Sequence, residues 1–369
     1  MSRKHLIEKL QFAQLRTRLA DQIAHFHPGL RKTLLNNLSE LVAAITMAHS
    51  VQLAAIGAKL PVDTDAESRE QWVRRQLSNN TQPTLELFRP LAQSLLAGLA
   101  GRSIRLILDP TDLANDLTIV QVALAYRGRA LPLAWLTVYI KPDTVLEAIR
   151  LLFAEVKTWL PVAAQVYLIG DREFHGQEML ALIQEQGWTP VVRTKGHLLI
   201  EQADGTRSQV AALAPEPGHT AFYQQVFLTG WGWGPYSLSL AHAAPALHSQ
   251  QGDDPWYIVS TEPAGPPILA LYRVRMWVDE MFRDLKSHGF HLDQTRLDRP
   301  ERIDRLMLAL ALAYWWVIGR GIWVERMQLR DRVDRQDDPA CSLFTLGLRW
   351  ICRQLDLDKL PDVELLPVL

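Results

Sequence analysis

IRLILD at residues 104–109 and QVYLIGD at residues 165–171 are two short, continuous apolar runs that each stop at an aspartate. Runs of this length and β-branched content are the buried type of strand, so they predict a sheet covered on both faces. Asp109 and Asp171 are then placed where strands end. A third acid, Asp279, lies in YRVRMWVDEMFRDLK, residues 272–286, whose apolar residues recur at helical spacing. Two strand ends and one helix can bring three carboxylates to one point, the arrangement that two-metal phosphoryl transfer requires. An aspartate after a strand is also a common turn former or helix N-cap, so each position taken singly says little. Asp112 and Glu173 compete for the same role. The strand-terminal pair is preferred because a strand end holds a carboxylate rigidly, and Mg²⁺ demands near-octahedral oxygen geometry.

The rest of the chain is read outward from these runs. With 369 residues, 48% hydrophobic and 21% charged, it has enough apolar material for two or three packed domains of a globular protein. Two cysteines, Cys341 and Cys352, argue against a disulfide framework and fit a reducing cytosol, and their spacing gives no zinc motif. The start MSRKHLIEKLQ lacks an apolar signal core, and the most hydrophobic stretch, Leu306 to Ile318, is too short for a bilayer, so it is expected to be a buried helix without membrane association. A net charge of −1 means that any nucleic-acid surface must be local.

Residues 1–100 read as helical, a candidate DNA-binding unit. Leu38 to Lys59 is expected to form two helices meeting at Ser50, and a third from Ser68 carries Arg69, Arg74 and Arg75; an ordinary bundle with solvated arginines fits the same pattern. Residues 101–194 read as a mixed sheet with helices: a strand at Ile104 to Leu108, a hairpin of Ile119 to Tyr126 and Leu131 to Val138 joined by RGRA, a helix over Thr144 to Leu160, a strand at Gln165 to Gly170, a helix around Gly176 to Gln186 and a strand at Thr189 to Arg193. Residues 195–265 are Gly/Pro-rich and alternating, a β-rich insertion ending in WYIVST. Helical spacing returns over 266–325, followed by a C-terminal tail region, 326–369. The GlyTrpGlyTrpGly run at 230–234 precedes a strand rather than a helix, so it reads as a turn and not a nucleotide loop. His175, His288 and His291 show no ligand spacing.

At roughly 100° per residue, Tyr272, Arg275, Asp279 and Lys286 fall within an arc of about 60° on a continuous helix. Val274, Trp277, Val278, Met281, Phe282 and Leu285 gather opposite, towards a core. Glu280 lies about 100° from Asp279. A solvated face with an Arg275–Asp279 pair is the plain alternative.

Taken together, LILDPTD, LIGDREFHG and YRVRMWVDEMFRDLKSHGF resemble the cut-and-paste DDE transposases of bacterial insertion sequences, insertion sequence family four, which carry a Tyr-Arg-Glu-Lys signature. Tyr272, Arg275, Asp279 and Lys286 match its spacing, and the likeness covers roughly residues 35–320. The resemblance implies an α/β fold with a ribonuclease-H-like catalytic core, a β-rich insertion and a preceding α-helical domain. It implies that Asp109, Asp171 and Asp279 hold two Mg²⁺ ions, with Mn²⁺ as a substitute and no small-molecule cofactor. Tyr272, Arg275 and Lys286 would contact DNA phosphates, with Arg193 and Lys195 extending the track. The implied partners are double-stranded DNA, as terminal inverted repeats and target, and a second copy of the chain on paired ends in the bacterial cytoplasm near the nucleoid. Two departures bear on the chemistry. The family's third acid is glutamate, here Asp279, with Glu280 beside it as the alternative. Met276 stands where tryptophan often follows the signature arginine, and Trp277 comes one place later. A catalytically inactive DNA-binding descendant and a nuclease without strand transfer are the other functions the sequence admits.

Overall fold

The computed structural model describes residues 3–79, 81–228, 232–243, 254–338 and 340–367. Five helices come first: α1 (Arg3–Phe26), α2 (Lys32–Ala48), α3 (Leu53–Lys59), α4 (Ala66–Leu77) and α5 (Thr84–Ala97). The expected break near Ser50 is present. His49 ends α2 in the left-handed region at φ 50°, and the chain restarts at Leu53. Helix α4 begins two residues earlier than its sequence suggested, because Asp65 accepts the Ser68 N–H and caps it.

The sheet opens with β1 (Ile104–Asp112), β2 (Leu117–Tyr126) and β3 (Arg129–Tyr139), continues through α6 (Pro142–Lys157), β4 (Val166–Gly170), α7 (Gln177–Glu185) and β5 (Thr189–Arg193), and then adds β6 (Leu199–Glu201), β7 (Arg207–Gln209), β8 (Thr220–Leu228), β9 (Trp233–Ala241) and β10 (Trp256–Ser260). Their order is β3-β2-β1-β4-β5-β10-β9-β8-β6-β7 in one ten-stranded sheet. Strands β1, β4 and β5 run parallel, while β2 and β3 form an antiparallel meander on one edge. This mixed α/β core is the ribonuclease-H-like arrangement expected from the sequence. Three expectations are corrected. The hairpin turns on Arg127 and Gly128 alone, both at positive φ (46° and 78°), so Arg129 and Ala130 are already strand rather than connector. Helix α6 starts at Pro142, which suits a first helical turn, and stops at Lys157. Strand β1 runs on to Asp112, so Asp109 lies within a strand and not at its end. The predicted turn at 230–234 falls partly outside the described residues; Gly232 and Gly234 have positive φ.

The remaining helices are α8 (Pro266–Arg273), α9 (Met276–Leu285), α10 (Pro300–Arg326) and α11 (Leu343–Asp356). Helix α10 is long and apolar enough to cross a membrane, but 94% of its apolar window is buried inside the protein, where Trp315 and Trp316 are fully enclosed. Within the C-terminal tail region, residues 326–369, Leu343–Asp356 forms α11. Helix α11 crosses α10 so closely that a Cβ on Gly321 would collide with the Leu343 carbonyl, and one on Gly347 with that of Val317. Only glycine permits that approach.

Candidate active site

Register explains how two of the acids come together. Parallel pairing of β1 with β4 ends at Leu108 opposite Gly170, so Asp109 and Asp171 are the next residues on each strand, where the two chains part. Strand β1 stays paired with β2 on its other side, Asp109 opposite Gln121, which keeps the carboxylate on rigid backbone. Asp171 instead turns into a short 3₁₀ segment, and its Oδ1 accepts the Arg172 N–H at 2.7 Å.

The third element departs from the expected continuous helix. Val274 and Arg275 form a turn between α8 and α9, and Lys286 ends α9 at φ −94°, ψ −110°. Tyr272 is buried, not outward-facing: its ring meets Trp256 edge-on at 5.1 Å, and its hydroxyl donates to Asp171 Oδ1 at 3.5 Å. Lys286 Nζ donates to Thr111 Oγ1 at 2.7 Å and to the Asp112 carbonyl at 3.1 Å. Sequence reasoning missed Thr111. The signal was there, because a residue two along a strand from Asp109 shares its face.

Arg275 is the centre of the site. Its Nη2 lies 3.5 Å from Asp109 Oδ1 and 3.3 Å from Asp171 Oδ2, and its Nη1 lies 3.4 Å from Asp279 Oδ2. Glu280 points elsewhere, to Arg129 at 3.4 Å and Arg283 at 3.3 Å. Asp112 and Glu173, the rival carboxylates, are exposed and have no contact with Arg275 among the described residues. Arg193 Nη2 donates to the carbonyls of Asp254 and Pro255 at 3.4 Å, and with Arg172, Lys195 and His197 it lines a separate cavity of about 330 Å³ beside the end of β5. His175 binds the Arg172 carbonyl through Nδ1, and His288 and His291 touch none of the three acids among the described residues.

Burial pushes the Asp109 carboxyl up to about 7, with Arg275 opposing and Asp279 and Asp171 adding to the rise. Asp279 is raised for the same reasons, burial first. Burial works against the Arg275 charge, yet the three carboxylates outweigh it and hold the guanidinium more firmly protonated. Tyr272 is raised by burial and by Asp171. Lys286 is lowered by burial, against the pull of Asp293 and Asp112. One cation thus faces three acids in a partly desolvated crevice.

Among the described residues, no three His, Cys, Asp or Glu side chains stand close enough to one another to hold a metal ion, because the guanidinium lies between the acids. The donor set nevertheless fits a hard divalent cation. All available donors are carboxylate oxygens. The Arg275 contacts, at 3.3–3.5 Å, are long for charge-assisted hydrogen bonds, and its buried Nε has no hydrogen-bond partner, so the guanidinium is held without tight pairing among the three acids.

Residues 143–316 match the family model of the transposase DDE domain. The matched stretch contains Asp171, Arg193, Lys195, Tyr272, Arg275, Asp279, Glu280 and Lys286, and Asp109 precedes it. No curated protein sequence matches the chain.

Proposed function

We propose that this protein is a DDE transposase that cleaves DNA and transfers strands at the terminal inverted repeats of an insertion sequence, using divalent metal ions. The observation that carries the reading is the convergence of Asp109, Asp171 and Asp279 on one guanidinium, from two adjacent strands and a helix, in a chain whose residues 143–316 resemble such a domain. Asp109, Asp171 and Asp279 would hold two Mg²⁺ ions, or Mn²⁺ in their place. Bound there, the ions would supply Lewis-acid stabilisation for an in-line attack on a phosphodiester.

The chain's own residues do the positioning. Asp109, whose carboxyl burial raises, would be held as the carboxylate by a cation at this site, which would offset the penalty that burial places on its charge. Tyr272 fixes the orientation of Asp171 through its hydroxyl. Arg275, once released from the carboxylates, would offer a planar fork to a phosphate, and Lys286 would add a point charge beside Thr111, on the face of β1 that carries Asp109. Arg193 and Lys195 continue the cationic track past β5. The helices of residues 1–100 and the C-terminal region would read the inverted repeats, a second copy would hold the paired end, and the work would take place on the nucleoid.

The test is Mg²⁺-dependent cleavage of a labelled duplex carrying the DNA that flanks this reading frame, with Asp279→Asn and Glu280→Gln alongside. Cutting at the element ends that is lost only in Asp279→Asn supports the assignment. Loss only in Glu280→Gln moves the site by one residue. End binding without cutting, by the parent, replaces the reading with a catalytically inactive descendant, and cutting without joining replaces it with a nuclease.

A further inference from the structure

We infer that Arg129 is a positioning residue that sets the rotation of α9 about its axis, so that Asp279 and not Glu280 faces Asp109 and Asp171. This inference rests on the proposed catalytic reading and extends it to a residue outside the signature. Arg129 is the first residue of β3, directly after the Arg127–Gly128 turn, and is 9% exposed. Its Nε lies 3.3 Å from Asp284 Oδ2 and its Nη1 lies 3.4 Å from Glu280 Oε2. Asp284 is also buried, and its Oδ2 accepts a hydrogen bond from Tyr314 of α10 at 3.2 Å.

Glu280 and Asp284 are four apart, so they share one stripe of α9 about 40° wide, and that stripe is turned roughly 100° away from Asp279. To bring Glu280 where Asp279 stands, α9 must rotate by that 100°, which moves each Cα by about 3.5 Å at the helix radius. The rotation would pull Asp284 from both Arg129 and Tyr314. It would also carry Met281, packed against Gln121 of β2 with Nε2 3.3 Å from its sulfur, out of the core. One arginine on a sheet strand therefore grips two acids on the back of the helix that presents the third carboxylate on its front.

The test uses full-length Arg129→Leu/Asp284→Leu, which replaces the buried pair by apolar groups and so keeps folding separate from positioning, with Arg129→Lys as the conservative variant. Three quantities are measured: Tm, Mn²⁺ binding to the DNA-free protein by electron paramagnetic resonance, and kcat against KM for end cleavage. The expected result for the double variant is a Tm within a few degrees of the parent, an unchanged KM, and a fall of at least tenfold in both Mn²⁺ affinity and kcat, with Arg129→Lys recovering part of each. A folded double variant with parental Mn²⁺ affinity and kcat overturns the inference while leaving the catalytic reading intact. A double variant that does not fold shifts the decision to Arg129→Lys, where parental metal affinity and kcat overturn the inference in the same way. A parent that binds no Mn²⁺ removes the catalytic reading and this inference with it.

Discussion

Replacing Asp109 with asparagine should stabilise the metal-free protein while abolishing cleavage. In the folded chain burial holds the Asp109 carboxyl near 7, against an ordinary value of 3.8. A folded-state value raised in this way means that the native protein keeps a proton the unfolded chain has lost. Below pH 4 both states are protonated and no penalty exists. As pH rises from 4 to 7 stability falls, and above 7 the full cost of an ionised, buried carboxylate is present. About three pH units at 1.36 kcal/mol each give roughly 4 kcal/mol as an upper bound. For a chain of 369 residues, an unfolding entropy of about 2.1 cal/mol/K per residue makes that bound a Tm rise of about 5 °C. The assay is a thermal melt of parent and Asp109→Asn in EDTA at pH 5 and pH 8. The gap between the curves should widen at pH 8, and Mg²⁺ should narrow it again, because metal stabilises only the form that retains the carboxylate. Equal melting temperatures at pH 8, or a gap that shrinks as pH rises, would refute the claim that Asp109 is held in a desolvated, electrostatically unfavourable position.

Arg275→Gln removes the one cation shared by three acids, so its Tm in EDTA should fall below the parent's at pH 8 and approach it at pH 4, where the carboxylates are protonated; thermal melts at the two values check this. Lys286→Ala should weaken end binding and lower the slope of log K against log salt by about one, measured by fluorescence anisotropy over a salt series, since on the proposed reading it would delete a single phosphate contact. Gly321→Ala, which drives a methyl into the Leu343 carbonyl, should cost about 1–3 kcal/mol in urea unfolding without changing the metal requirement of cleavage.

Much of the core was legible because its signals are local. β5 runs over Thr189–Arg193 as the apolar run predicted, and β4 falls one residue inside the predicted Gln165 to Gly170. The apolar runs that each meet an acid also marked Asp109 and Asp171 as candidates, although β1 has 9 residues and β4 has 5, and their adjacency is set by the sheet. The central place of Arg275 does not follow. Its i,i+4 relation to Asp279 has the same form as a solvated surface pair, and nothing along the chain announces that β1 and β4 separate beyond Leu108 and Gly170. Apolar periodicity passes through Val274 and Arg275 without a glycine or proline, so the break between α8 and α9 left no mark either. The burial of Tyr272 depends on Trp256, and the grip of Arg129 on Glu280 and Asp284 spans about 150 residues of chain, beyond the reach of any local pattern. Among β6 to β9 the pairs β6–β7 and β8–β9 are local hairpins, whereas β6 with β8, Ile200 opposite Leu228, joins strands that are not consecutive.

β5 and β10 are antiparallel neighbours, with Arg193 opposite Ile258 and the Thr194 N–H donating to the Tyr257 carbonyl at 2.7 Å. Sixty-odd residues leave the core at one of these strands and return at the other, hardly a strand's width from where they left. The two strands thus form a splice port. What passes through it also touches the segment it delivers: Gly265, the residue before α8, donates its N–H to Ser239 Oγ of β9 at 3.1 Å, and Gln224 of β8 pairs with the backbone of Ala264. The extension is thus a brace as well as a detour, clasping the chain at residues 264–265 just before the helices that carry Tyr272 and Asp279.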